Sequence, residues 1–98
     1  MGTLCNFVQD ENKQIEYVSD GMIVILNFKT EDDTWAKPIS IHDGNILKKA
    51  IQMFMESIGF PNRKIKKAIY ETDSSELNLK SKISEIGINY AGNIIVYF

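Results

Sequence analysis

The sequence predicts an α+β fold: a mixed sheet of four to five strands with one helix packed across it, preceded by an N-terminal hairpin. Three observations lead there. Two near-continuous apolar runs, MIVILNF (22–28) and IIVYF (94–98), bracket most of the chain. Between them, residues 46–58 place apolar side chains at helical spacing. A helix joining two β regions can cross one face of a sheet and return the chain for a parallel pairing of the first run with the last, in the right-handed sense such connections take.

The elements follow in order. Residues 4–8 (LCNFV) and 15–18 (IEYV) favour extended structure and are separated by the polar stretch QDENKQ, which predicts a hairpin within an N-terminal extension, 1–20, ahead of a domain at 21–98. Asp20-Gly21 punctuates the chain, and the 22–28 run then reads as a central strand buried on both faces. After the polar turn KTEDDT (29–34), WAKPISI (35–41) spaces Trp35, Ile39 and Ile41 evenly, as a strand with one buried face requires. Pro38 cannot donate a ladder hydrogen bond, so this strand belongs at an edge. Asp43, Gly44 and Asn45 offer N-cap residues for the helix, whose stripe is Leu47, Ala50, Ile51, Phe54 and Ile58. Lys48, Lys49, Gln52, Glu56 and Ser57 fall off that stripe, Met53 is expected in the core and Met55 on a flank, and Gly59 with Pro61 ends the helix. AIYE (68–71) reads as a third strand, ETDSSE (71–76) as an exposed turn, 77–79 as a short fourth strand, and 94–98 as the closing strand after a turn at 90–93.

Length and composition narrow the functions. At 98 residues with 44% apolar content the chain suits one domain that folds without staples. Its 11 Lys and Arg against 13 Asp and Glu leave a net charge of −2, no general field for nucleic acid or an anionic membrane. Cys5 stands alone, so neither an internal disulfide nor a cysteine cage is expected, which fits the cytosol or nucleus. No apolar run approaches membrane-spanning length and no signal peptide is recognisable. The opening residues 1–6 resemble an acylation signal except that Asn6 stands where Ser or Thr is preferred.

With these elements in place, residues 22–98, about three quarters of the chain, resemble ubiquitin and its β-grasp relatives in element order and spacing. IGFP (58–61) is similar to the exit of ubiquitin's helix. SKISEIGI (81–88), with the Gly turn and IIVYF after it, is similar to ubiquitin's last loop and strand. The resemblance implies that Ile83, Ile86 and Ile88 point into the core, with Ser81 or Ser84 arranging a tight polar turn. If Ile94, Val96 and Phe98 face the helix, Ile95 and Tyr97 emerge on the opposite face, with Ile69 on the neighbouring strand beside them. Ile69, Ile95 and Tyr97 then align with the apolar patch through which ubiquitin is gripped by its receptors.

The implied function is non-catalytic: an adaptor module binding a protein partner through that patch, helped by the basic residues Arg63, Lys64, Lys66 and Lys67, which can dock an acidic surface. Two arrangements satisfy the pattern, because the first twenty residues could equally fold back over this face and make the trio core. Two further functions stay open: a structural subunit of a larger assembly, present as a monomer or within a hetero-complex, and a divergent modifier. The sequence ends at Phe98 without the terminal Gly-Gly of a transferable modifier, the 29–34 loop is acidic where ubiquitin carries an apolar patch residue, and 71–76 holds no lysine for chain extension. His42, Asp43 and the distant Cys5 match the residue types of a cysteine hydrolase but not its spacing, so no catalytic residue is expected. The six Gly are scattered and the acidic clusters lack calcium-loop spacing, so no cofactor or metal is expected either.

Overall fold

A computed structural model describes residues 15–98. Its five strands are β1 (Ile23–Thr30), β2 (Ala36–His42), β3 (Lys67–Tyr70), β4 (Ser75–Leu77) and β5 (Asn93–Tyr97), with helix α1 (Leu47–Ser57) between β2 and β3. The sheet order is β2-β1-β5-β3-β4. β1 and β5 pair in parallel from Asn27↔Asn93 to Thr30↔Val96, and the other neighbours are antiparallel. This is the expected mixed sheet with one helix across it, and the Pro38 strand does lie at an edge.

The core lies between the sheet and α1. Leu26 and Phe28 of β1, Ile39 and Ile41 of β2, and Ile94 and Val96 of β5 meet the whole expected helix stripe, Leu47, Ala50, Ile51, Phe54 and Ile58. Phe28 and Phe54 stack with ring centres 5.5 Å apart. Met55, expected on a flank, is buried, and Met53 only partly so. Met55 stands four residues after Ile51 and eight after Leu47, on their face of the helix. Lys49, expected off the stripe, is also buried, as a lysine whose stem lies along apolar surface can be.

Both helix ends are closed by backbone. The N-cap is Ile46, without a side-chain cap, so Asp43, Gly44 and Asn45 do not cap the helix as expected. Instead the Leu47 and Lys48 amides donate to the Ser81 and Leu79 carbonyls, each at 2.9 Å. The loop 79–85, including one 3₁₀ turn (Ile83–Glu85), therefore does the capping, with Ile83 fully buried and Ile86 and Ile88 partly so. At the other end Gly59, with φ 93°, lets the Gly59 and Phe60 amides reach the Glu56 and Met55 carbonyls, a Schellman closure.

Three strand expectations are corrected. β1 is not buried on both faces: its side chains alternate, and Met22, Ile23 and Ile25 are 73%, 65% and 55% exposed. Trp35 lies just before β2 and is exposed, so only Ile39 and Ile41 supply that strand's buried face. β4 is Ser75–Leu77, two residues earlier than expected. Asp73 Oδ1 accepts from both the Ser75 amide and hydroxyl, and Ser74 takes a positive φ, so the turn closes sooner than its acidic composition suggests.

The first arm of the expected hairpin, residues 4–8, lies outside the described residues, as do Cys5 and the acylation-like residues 1–6. The second arm, 15–18, is not a strand. It is part of an irregular strap, residues 15–20, held mainly through its main chain. The buried Asn45 accepts the Val18 amide on Oδ1 at 2.8 Å and donates from Nδ2 to the Val18 and His42 carbonyls. Gln52 accepts the Ile15 amide, and the Gly44 amide donates to the Asp20 carbonyl. No helix among the described residues is long and apolar enough to cross a membrane.

Truncating Asn45 strips the strap of its anchor and leaves part-buried main-chain groups of Val18 and His42 without their Asn45 side-chain partner. Asn45→Ala should cost about 1–3 kcal/mol in urea unfolding, with hydrogen exchange accelerated at Val18 ahead of the β1 and β5 amides.

Candidate functional site

Side chains of successive strand residues point to opposite faces, so the residues between the core positions form a second face that α1 does not cover. The strand register lays them out in rows. Across the middle run Lys29, Ile95, Ile69 and Glu76, on β1, β5, β3 and β4 in turn. One step along the strands, Tyr97 lies beside Lys67. One step the other way, Asn27 lies beside Asn93, which meets Glu71 just past β3.

This register brings Ile69, Ile95 and Tyr97 together, each half-buried, on adjoining strands of the open face. The described strap makes its hydrogen bonds to His42, Gly44, Asn45 and Gln52, not to β3 or β5.

The four basic residues do not act as one cluster. Lys67 joins the trio, its ammonium 5.0 Å from the Tyr97 ring centre, a cation–π contact. Arg63 turns elsewhere: its guanidinium lies 5.5 Å from the Phe60 ring and 5.0 Å from the Phe98 ring, beside a shallow groove shared with Thr30, Glu31 and Asp32. Lys66 donates its amide to the Tyr97 carbonyl, and Lys64 is exposed.

Beside the trio runs a polar seam. Lys29 Nζ lies 2.6 Å from Glu71 Oε2 and 3.0 Å from Asp33 Oδ1, and Asn93 Nδ2 donates to Glu71 Oε1 at 3.0 Å. The hydrogen bond from Lys29, then that from Asn93, holds the Glu71 carboxyl below its usual range. Glu71 and Asp33 together raise the Lys29 ammonium above its own.

Beyond the seam Ile23 and Ile25 form a second apolar area with Met22 at the start of β1. It escaped sequence reasoning because an uninterrupted apolar run looks like a doubly buried strand. β5 pairs with β1 only from Asn27 onward, so the first half of β1 has no fifth-strand neighbour. The short closing run of five residues against a seven-residue first run was the available signal.

His42 and Asp43 are engaged structurally: His42 Nδ1 lies 2.8 Å from Tyr17 Oη, which also accepts the His42 amide, and Asp43 Oδ1 accepts the Met22 amide. Among the described residues no group of three or more His, Cys, Asp or Glu is placed to hold a metal ion.

No protein-family model matches the chain, and no curated protein matches it significantly. Among solved structures, it is similar to the C-terminal ubiquitin-like domain of mouse tubulin-specific chaperone e. The TM-score is 0.58 at 11% identity, over 83% of this chain and 91% of that one. That likeness shows a ubiquitin-like fold.

The Glu71 contacts have a pH signature. Its folded pKa lies below its unfolded value, about 4.3, so its stabilisation is present above that pH and is lost as pH falls through the lower folded value. Glu71→Gln should therefore be less stable than wild type at neutral pH, and the difference should shrink to nothing on acidification, in urea melts taken across the carboxylate range.

Proposed function

We propose that this chain is a ubiquitin-like protein-interaction module, non-catalytic, that binds a protein partner through the open face of its sheet. Ile69, Ile95 and Tyr97 supply the apolar contact and Lys67 the adjacent charge. Lys64 and Lys66 steer an acidic partner from the rim, and Arg63, stacked on Phe60 and Phe98, forms the outer boundary. The observation that carries this reading is the cross-strand register of Ile69 with Ile95 and of Lys67 with Tyr97 on the face that α1 leaves open. Adjoining apolar side chains partly open to solvent and flanked by charge are the usual composition of a contact patch. The similar ubiquitin-like domain is itself part of a larger chaperone, a setting that supports the module reading in its coarse form. Cytosol or nucleus is the compartment that fits a single unpaired cysteine.

A second reading, a subunit built permanently into a larger assembly, is favoured by Met22, Ile23 and Ile25, three large aliphatic side chains each more than half exposed. An obligate subunit buries such surface against its neighbours.

Partners captured on the wild-type chain but not on an Ile69→Ala/Tyr97→Ala variant, then purified and titrated into the isotope-labelled chain, should shift amide signals at 67, 69, 95 and 97. Tyr97→Ala alone should weaken affinity about tenfold or more, the scale of a 1.4 kcal/mol contact. Shifts confined to 22–25 would favour the assembly reading, and shifts confined to α1 would overturn both.

A further inference from the structure

Besides its two outer edges the sheet has a partial edge inside it. β5 lies beside β1 only from Asn27 onward, so residues 23–26 have β2 on one side and no described strand on the other. Main-chain groups of successive strand residues point to opposite sides. The Thr30 amide donates to the Trp35 carbonyl and the Met22 carbonyl accepts from the Asp43 amide, each at 2.9 Å, which turns the even-numbered residues of β1 toward β2. Ile23 and Ile25 therefore turn their N–H and C=O groups away from β2, and no hydrogen bond reaches these groups among the described residues. The ladder from β5 would continue from the Gly92 amide to the Ile25 carbonyl, but that amide donates to the Asn89 carbonyl instead, at 3.0 Å. Asn27 Nδ2, bonded to the Tyr90 carbonyl, marks the closed end of this notch.

Contrast with the outer edges identifies what fills it. β2 is blunted by Pro38 beside Lys37, and β4 is three residues long, devices that keep a sheet edge from pairing. The notch carries none of them: residues 22–26 read MIVIL, without charge or proline, and Ile23 and Ile25 are both more than half exposed. Unpaired main-chain groups at every second residue of an extended chain are matched by the main chain of another extended segment. Side chains of that segment lie beside Ile23 and Ile25 on the open face and beside the half-buried Val24 on the other, so both its faces call for aliphatic residues.

From this we propose that β1 accepts an extended aliphatic segment of a partner protein as an added strand, in line with β5 and hydrogen-bonded to Ile23 and Ile25. The inference deepens the assembly reading, whose exposed aliphatic residues it shares, and does not depend on the Ile69 patch.

Hydrogen exchange of the full chain tests it, with the synthetic peptide acetyl-Lys-Val-Ile-Val-Ile-Lys-amide as the probe. Without peptide, the Ile23 and Ile25 amides should exchange fast and those of Val24 and Leu26 slowly. With peptide about tenfold above its Kd, the first two should slow about tenfold. N-methylating one alternate set of peptide amides should abolish this protection and methylating the other set should not, because only one set faces β1. Ile25→Pro should lose peptide binding yet keep its fold by circular dichroism, since the amide it removes lies outside the β1–β2 ladder. Ile25→Val, which keeps that amide, should still bind. Protection of Ile23 and Ile25 in the free chain overturns the proposal: with a dimer mass in sedimentation the occupant is a second copy, and with a monomer mass it is the chain's own residues 1–14. Failure of the peptide to protect either amide overturns it as well. If captured partners are lost on Ile23→Thr/Ile25→Thr but kept on Ile25→Pro, the assembly reading stands and the added strand falls. If the peptide protects both amides while captured partners shift signals elsewhere, the assembly reading falls alone.

Discussion

Parallel strands cannot be joined by a tight turn, and β1 and β5 run the same way from Asn27↔Asn93 to Thr30↔Val96. Everything between them must leave the sheet, cross one face and return. α1 makes that crossing, and its stripe of Leu47, Ile51, Phe54 and Ile58 closes over Phe28 and Ile94 where the two strands lie side by side. Because the crossing covers one face only, the other is left to whatever the alternate residues provide. The core and the candidate site are thus two consequences of one pairing: Ile94 and Val96 are buried because Ile95 and Tyr97 are not.

Much of this was legible in the sequence, where periodicity decides. The helix stripe, the alternation along the last strand and the edge position of the Pro38 strand each follow from local rules about spacing or a missing amide. What was not legible depended on distant partners. Nothing near Asp43, Gly44 or Asn45 shows that the helix start would be closed by carbonyls from Leu79 and Ser81, which frees Asn45 to hold the Val18 backbone instead. The swap of Met53 and Met55 is a smaller case. One residue turns a helix by 100°, so a stripe drawn too narrowly misplaces the residue at its margin.

The candidate site divides along the same line. The trio of Ile69, Ile95 and Tyr97 could be assembled from alternation and strand order before any geometry was known. The four basic residues fall within five consecutive positions, 63–67, yet they part company because β3 starts among them. Lys67 belongs to the strand and faces the trio, whereas Arg63 belongs to the helix exit and settles on two aromatic rings. Ile23 and Ile25 illustrate the opposite error. Composition marked them as interior, and only the point at which β5 begins, opposite Asn27, leaves them in solvent.

A net charge of −2 describes the whole chain and conceals how charge is distributed on the face that matters. Lys29 and Glu76 are 47 positions apart in sequence, and no window of residues contains both with the isoleucines between them. They fall in one row because the order β2-β1-β5-β3-β4 places the first strand and the fourth on either side of the last and the third. Strand order therefore determines electrostatic pattern here more than composition does.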